Sequence, residues 1–404
     1  MLAFVLPLMA AASVLLDLSI LRRIGRRYPD RKWLRRLYLA HFVLIDAAVA
    51  GALLFYGKLS NADSTEAMRT VLWIVWVFFA TAAPKAVYLL SSLLDGRSGK
   101  ADGRKTTLFS RIGLVAAAAT LGLMVWGATA GRTHIVTERL TLESDRLPES
   151  FDGYKIVFFT DLHTGNLPGN HRLIRRMAER IDREHADMVV NGGDLVNIDA
   201  RELTPEVMGL LSTIRAADGV YSVLGNHDLG FYIRENRPYT PRQSVGELLE
   251  KQKAMGWTPL VDESVHIRRG GDSISVTGFN FPEKGSHRGK HAELAGCDME
   301  KAYASAAEGT FNLLISHTPE FWDDALRTGS PDLTLSGHVH AMQFKIPFGK
   351  RGWSPASWMY DRWSGLYTQA GKYLYVNDGM GYVMYPMRIG TPPSITVITL
   401  KRKG

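Results

Sequence analysis

Lys155-Ile156-Val157-Phe158-Phe159-Thr160-Asp161-Leu162-His163 is the stretch that decides how this chain is read. Ile156–Phe159 is an unbroken apolar run, the pattern of a strand buried on both faces. It runs directly into an aspartate and a histidine separated by one residue. The layout recurs downstream. Asp187–Asn191 leads into Gly192-Gly193-Asp194, and Val220–Leu224 into Gly225-Asn226-His227-Asp228. Phe311–Ser316 leads into His317, and Leu333–Ser336 into Gly337-His338-Val339-His340. In open α/β sheets, ligand sites gather beyond the carboxyl ends of strands. Five such ends converging bring together two Asp, one Asn and five of the chain's 12 His.

That inventory suits two divalent cations. Imidazole nitrogen and carboxylate oxygen favour Mn, Fe, Zn or Co, and the only cysteine, Cys297, excludes a thiolate cluster. Asp161 and His163 flank one residue and can reach the same ion. Asp194 can bridge two ions, Asn226 supplies a neutral oxygen, and His338 and His340 alternate and can serve different ions. Two cations about 3.5–4 Å apart clamp the attacking and leaving oxygens of an in-line displacement.

Working outward, Arg172–Glu184, Pro205–Ala216 and Gln243–Met255 have helical spacing. Val265–Arg269 and Ser273–Phe279 read as a hairpin about Gly270-Gly271. Tyr373–Val376 and Ile395–Leu400 read as closing strands, and Ile135–Leu142 as an opening one. Strands and helices alternate first and strands dominate later, which predicts an α/β fold with sheets covered by helices.

Residues 1–130 differ in kind. They carry 16 Lys+Arg against 7 Asp+Glu, a net of +9, whereas residues 131–404 carry 32 against 33. The whole-chain charge of +8 therefore belongs to the first third, and a nucleic-acid-binding face on the larger part is not expected. Four apolar stretches, at about residues 2–20, 38–56, 71–94 and 108–130, approach the roughly 18–20 residues that span a ~30 Å hydrocarbon layer. Arg22, Arg23, Arg26, Arg27, Arg31, Lys32, Arg35 and Arg36 crowd the first connection. Only Lys58 and Arg69 fall in the second, and Arg97, Lys100, Arg104, Lys105 and Arg111 in the third. Basic loops stay cytoplasmic, so everything from Gly131 onward is expected outside the cytoplasm, on a multi-pass inner-membrane protein. Asp46 and Lys85 fall at matching depth, roughly 12–14 Å in, and read as a buried ion pair. The organisation is then a four-helix transmembrane module over 1–130, a connector over 131–152 and a catalytic domain over 153–404.

The ordered set Asp-x-His, Gly-Asp, Gly-Asn-His-Asp, His and Gly-His-x-His resembles the calcineurin-like metallophosphoesterase superfamily from Tyr154 to about Leu400. The resemblance implies a four-layer αββα sandwich. It implies that Asp161, His163, Asp194 and His340 hold one metal, and Asp194, Asn226, His317 and His338 the other. It places His227 at the phosphoryl group as acid or transition-state stabiliser, with Asp228 orienting its ring. Asn377-Asp378-Gly379-Met380-Gly381 and Pro386-Met387-Arg388-Ile389-Gly390 are similar to the membrane-anchored bacterial phosphodiesterase branch, which includes UDP-2,3-diacylglucosamine hydrolases. The chain departs from that branch at Ala341-Met342, where Gly-Gly is usual, and at Ser394, where Glu is common. Neither departure touches a metal-ligand position.

The expected function is membrane-tethered hydrolysis of a phosphodiester or pyrophosphate, on a lipid- or envelope-linked phosphate, by attack of metal-bound hydroxide. A UDP-2,3-diacylglucosamine hydrolase-like activity is the alternative, and an exported catalytic domain would place it away from its cytoplasmic substrate. A non-enzymatic metal-binding sensor or transport accessory is the alternative of another class; a complete ligand set argues against it. Around the site, Arg388 is a candidate phosphate contact, Arg234, Arg237 and Arg242 could line the rim, and Glu283–Lys290 with His287 and His291 could cap it.

Overall fold

Ile156 and Phe158 point to one side of their strand, Val157 and Phe159 to the other, and all four are shut off from water. A strand apolar on both faces must be covered twice. The computed structural model shows how that is done. It describes residues 2–54, 65–96, 108–167, 169, 171–233, 238–281, 296–304, 306, 311–349 and 352–404. The Lys58, Arg97, Lys100, Arg104 and Lys105 loop charges, Arg234, Arg237 and the Glu283–Lys290 segment with His287 and His291 lie outside these residues.

The strands are β1 (Val136–Ser144), β2 (Lys155–Phe159), β3 (Met188–Asn191), β4 (Val220–Ser222), β5 (Thr258–Pro259), β6 (Glu263–Arg269), β7 (Asp272–Gly278), β8 (Phe311–Ile315), β9 (Leu333–Ser336), β10 (Gly365–Gln369), β11 (Lys372–Val376) and β12 (Ser394–Arg402). They form two six-stranded sheets, ordered β1-β12-β2-β3-β4-β5 and β10-β11-β9-β8-β7-β6. In the first sheet only β12 and β2 pair antiparallel. In the second, the two edge pairs β10–β11 and β6–β7 are antiparallel and the interior is parallel.

The sheets pack face to face. Ile156, Phe158, Met188, Val190 and Ile398 of the first meet Ile274, Val276, Leu313, Ile315, Leu335 and Tyr375 of the second in one buried cluster. The alternate residues face outward and are covered by helices. Phe159 lies edge-on to Trp257, 6.0 Å between ring centres, just past helix Pro241–Ala254. That helix docks through Gln252, whose amide oxygen accepts from the Ser222 hydroxyl of β4. On the far side Leu374 and Val376 pack on Trp322, which opens helix Trp322–Thr328. Phe279 and Leu314 pack on Ala302 and Ala325. The order is helices, sheet, sheet, helices.

Turn chemistry follows sequence. Gly270 (φ 56°) and Gly271 (φ 90°) join β6 to β7 as the positive-φ pair that a two-residue hairpin turn requires. The helix expected over Pro205–Ala216 ends at Leu211. Ser212 and Thr213 turn their hydroxyls back onto the Gly209 and Leu210 carbonyls, competing with further helical bonding. Within the expected connector, Val136–Ser144 is an edge strand paired along its whole length with β12.

A second unit comprises Met1–Ala130 and Met384–Met387. Among the described residues two helices, Thr65–Asp95 and Leu108–Thr133, are long and apolar enough to cross a membrane, against the four expected. Helix Leu2–Arg27 runs through the first expected span and ends on Arg22, Arg23, Arg26 and Arg27. The second expected span is divided into helix Lys32–His41, a π-helical turn Phe42–Asp46 and helix Ala47–Leu54.

Leu313 sits at the centre of the intersheet cluster with no exposed surface. Leu313→Ala should destabilise the fold by about 2–5 kcal/mol, because a close-packed sandwich collapses poorly around a void. A lowered thermal midpoint of the detergent-solubilised chain checks this.

Candidate metal centre

Where these strands end, the backbone turns sharply. Asp161 (φ 56°), His163 (φ 47°), Asp194 (φ 53°), His338 (φ 70°) and His340 (φ 53°) all hold left-handed backbone. Each such non-glycine residue costs roughly 1–2 kcal/mol, so five at one place mean that the surroundings over-determine them. Ala341 (φ 46°) and Met342 (φ 47°) continue the left-handed run.

Backbone ties lock the turns together. Asp161 N–H donates to Gly193 O at 2.9 Å, and His163 N–H to Asp194 O at 3.1 Å. His227 N–H donates to Asp194 Oδ1 at 2.9 Å, and His338 N–H to Asp161 Oδ2 at 3.1 Å. The motif glycines are there for space. A Cβ on Gly225 would lie 2.1 Å from Asp194 Oδ1, and one on Gly337 would lie 2.2 Å from Asp161 Oδ2.

The side chains converge. Asp161 Oδ1 lies 3.1 Å from His340 Nε2 and 3.9 Å from both His163 Nε2 and His317 Nε2. Asp194 Oδ2 lies 3.2 Å from His317 Nε2 and 3.7 Å from His163 Nε2. Asp161, His163 and His340 offer ligand atoms all within 4.8 Å of one another, and so do Asp194, His317 and His338. Asp194 also groups with His163 and His227, so it faces both sides.

The arrangement fits divalent cations. His163 Nε2 and His340 Nε2 face each other at 3.2 Å. His317 Nε2 and Asn226 Oδ1 are buried without a hydrogen-bond partner, although His317 Nε2 is close to Asp194. His317 Nδ1 lies 2.7 Å from Gly192 O, so Nδ1 keeps its proton and Nε2 is the atom left to ligate. Nitrogen and oxygen donors without sulfur are the set that Mn, Fe, Zn and Co share.

Electrostatics agree. Burial alone would raise the Asp161 and Asp194 carboxyls, but the imidazoles beside them hold both below the ordinary carboxylate range. Burial and the His227 charge keep His163 far below its usual value. Burial and His317 push His338 down to about 3. Against its burial, His317 is raised to about 9 by Asp194, with Asp161 adding to it.

Two expected roles need correction. Asp228 does not orient the His227 ring: its carboxylate accepts from Val196 N–H at 3.1 Å and Gly225 N–H at 2.9 Å. The ring is held by Asn197, whose carbonyl lies 2.6 Å from His227 Nδ1. Asp228 staples the second and third strand ends, and burial plus the Asp194 charge push it up to about 7. Arg388 offers no face to a phosphate. It is 1% exposed, and its guanidinium donates to Gly381 O, Asp378 O and Thr391 O and lies 3.2 Å from His340 Nδ1. It braces the loop behind His340.

Other residues gave no warning in the sequence. Glu202 accepts from Gly165, Asn197 and Ile198 N–H and so fixes the Asn197 loop. Tyr232 stacks on His227 at 4.3 Å between ring centres and accepts from Asn226 Nδ2 at 3.4 Å. Phe281 closes over His317 and His338 at 5.9 Å from each.

Gly225→Ala should lose bound divalent cation and hydrolysis together, because its Cβ displaces Asp194. Gly209→Ala, on a helix surface with nothing within 4 Å, should change neither. Elemental analysis of both variants checks this. With His317 raised to about 9 in the cation-free protein, a cation must displace its proton. Affinity should therefore rise with pH up to about 9, with proton release at neutral pH, read by calorimetry in buffers of different ionisation heat.

Comparison with known proteins agrees with this geometry. Residues 154–342 match the family model described as calcineurin-like phosphoesterase, and residues 2–132 the one described as probable calcineurin-like phosphoesterase, transmembrane domain. "Uncharacterized metallophosphoesterase YkuE" of Bacillus subtilis is 29% identical over 271 residues, 66% of this chain and 86% of the relative. An "Uncharacterized metallophosphoesterase" of Helicobacter pylori (strain J99) is 26% identical over 400 residues, 96% of each chain. The "Transmembrane protein with metallophosphoesterase domain" of Bos taurus is 29% identical over 321 residues, 76% of this chain and 67% of the relative.

Proposed function

We propose a specific activity for this chain, which carries a calcineurin-like phosphoesterase domain behind a transmembrane one and is a metal-dependent phosphoester hydrolase. It cleaves a phosphodiester or pyrophosphate carried on a membrane lipid or envelope component, using two divalent cations. The observation that carries the reading is that Asp194 groups with His163 on one side and with His317 and His338 on the other.

Asp161, His163, Asp194 and His340 would hold one ion, and Asp194, Asn226, His317 and His338 the other. Bound there, the ions would neutralise phosphoryl charge and lower the pKa of a coordinated water. The chain's own residues supply position and proton. Asn197 O fixes the Nδ1–H tautomer of His227, which leaves Nε2 to serve the reaction. Tyr232 stacked on one face holds the ring in place. As water oxygen bonds to phosphorus and the phosphorus–oxygen bond breaks, His227, charged by a proton taken up at Nε2 beside the bound phosphate, gives that proton to the leaving oxygen, and the proton of the attacking water passes to solvent.

The location supports a membrane-borne substrate. The connection between the two apolar helices carries Arg97, Lys100, Arg104 and Lys105, and Arg111 follows in the first turn of the second helix, which favours retention of this end in the cytoplasm. Everything from Gly131 onward then lies outside, on a multi-pass protein of the inner membrane. A domain on that side meets exported lipid-linked phosphates rather than nucleotide-linked precursors made in the cytoplasm.

His227→Asn should lower kcat by about 10²–10⁴-fold on diesters with poor alkoxide leaving groups and far less on nitrophenyl diesters, with cation content unchanged. An equal loss on both substrates would remove His227 from the proton-donor role.

A further inference from the structure

The membrane unit buries a charge cluster that hydrolysis does not use. Asp17 lies on helix Leu2–Arg27, Asp46 closes the π-helical turn, and Lys85 follows Pro84 in helix Thr65–Ser92; they are 0%, 3% and 8% exposed. Lys85 Nζ donates to Asp17 Oδ2 at 3.0 Å and to Asp46 Oδ2. The other two carboxylate oxygens are also met by donors. Tyr38 Oη donates to Asp17 Oδ1 at 2.5 Å, and Ser13 Oγ to Asp46 Oδ1 at 3.1 Å.

The cluster holds two acids and one base. Among the described residues, Lys85 is the one basic side chain bonded to either carboxylate. His41, on the Tyr38 helix, turns its ring to that of Tyr38, 5.8 Å between ring centres. Arg23 on the Asp17 helix reaches Ser92 O instead. Glu66 and Arg69 stand at the far end of the Lys85 helix, and helix Leu108–Thr129, packed beside it, carries only Arg111. With both acids ionised, the apolar interior would hold a net negative charge, which is costly.

We propose that Asp17, Asp46 and Lys85 form a proton-binding site, in which the two carboxyls share one proton beside the Lys85 ammonium. A metal cation does not fit the same place. Lys85 Nζ already sits between the carboxylates, and each carboxylate oxygen already faces an N–H or O–H donor. The π-helical turn that ends on Asp46 sets this carboxylate out of α-helical register, a feature that recurs at functional sites. Proton occupancy ties together the three helical segments that carry these residues. Raising pH removes the proton, leaves the net charge and loosens them.

The test uses the full chain in lipid and reads the infrared C=O stretch of a protonated carboxylic acid above that of the Asp17→Asn, Asp46→Asn double variant, which subtracts other carboxyls such as Asp228. At neutral pH the wild type should show this band at the strength of one group. Asp17→Asn and Asp46→Asn each leave one carboxylate for Lys85, so each should lose the band, and Lys85→Met should keep it. The wild-type thermal midpoint should fall as pH rises through proton release, and that of Asp17→Asn should not. A wild type without the band, or a band surviving in both Asn variants, overturns the proposal. A midpoint that follows sodium rather than pH overturns it as well.

Discussion

The carboxylate of Asp194 is the constraint on which the catalytic unit depends. It is 2% exposed. Among the described residues no lysine or arginine pairs with it; imidazoles and backbone N–H groups do. Oδ1 receives the His227 backbone and requires a bare glycine at position 225, whereas Oδ2 faces His163 and His317. One side chain thus sets the distance between three strand ends. Asp161 repeats the pattern, bound to the His338 backbone and dependent on Gly337. Two buried acids among five imidazoles form a poor core but a good cradle for cations. The left-handed backbone at these positions is kept because the sandwich beneath is rigid.

That rigidity comes from the sheet interface. Ile156, Phe158, Leu313 and Tyr375 bury apolar surface on both sides of a single plane, and the polar residues appear only where each strand leaves it. Packing and chemistry are therefore separated along the chain. Residues within strands make the core, and residues two to five positions past each strand end make the site. Asn197, Glu202 and Tyr232 form a further shell that sets the tautomer and tilt of His227 without reaching a ligand position.

Much of this was legible in the sequence, because short buried strands declare themselves by apolar runs and the metal-type residues follow them at once. Roles that depend on which partner a side chain chooses were not legible. Asp228 sits next to His227 in sequence, yet its carboxylate turns to the Val196 and Gly225 amides. Arg388 reads as a phosphate contact, yet it is sealed in by three carbonyls. Asp17 escaped notice although Asp46 and Lys85 did not, since depth along one helix says nothing about which face it presents. The π-helical turn has no sequence mark, and it divides an apolar stretch that composition alone reads as one span.

The central claim is that the converged strand ends hold divalent cations that hydrolysis requires. The most direct measurement is elemental analysis of the purified full chain, paired with hydrolysis of an aryl phosphodiester before and after chelation. The account predicts two divalent cations per chain, loss of hydrolysis when they are removed, and recovery when Mn, Fe, Zn or Co is returned. Undiminished hydrolysis by a chain stripped of cations would contradict it.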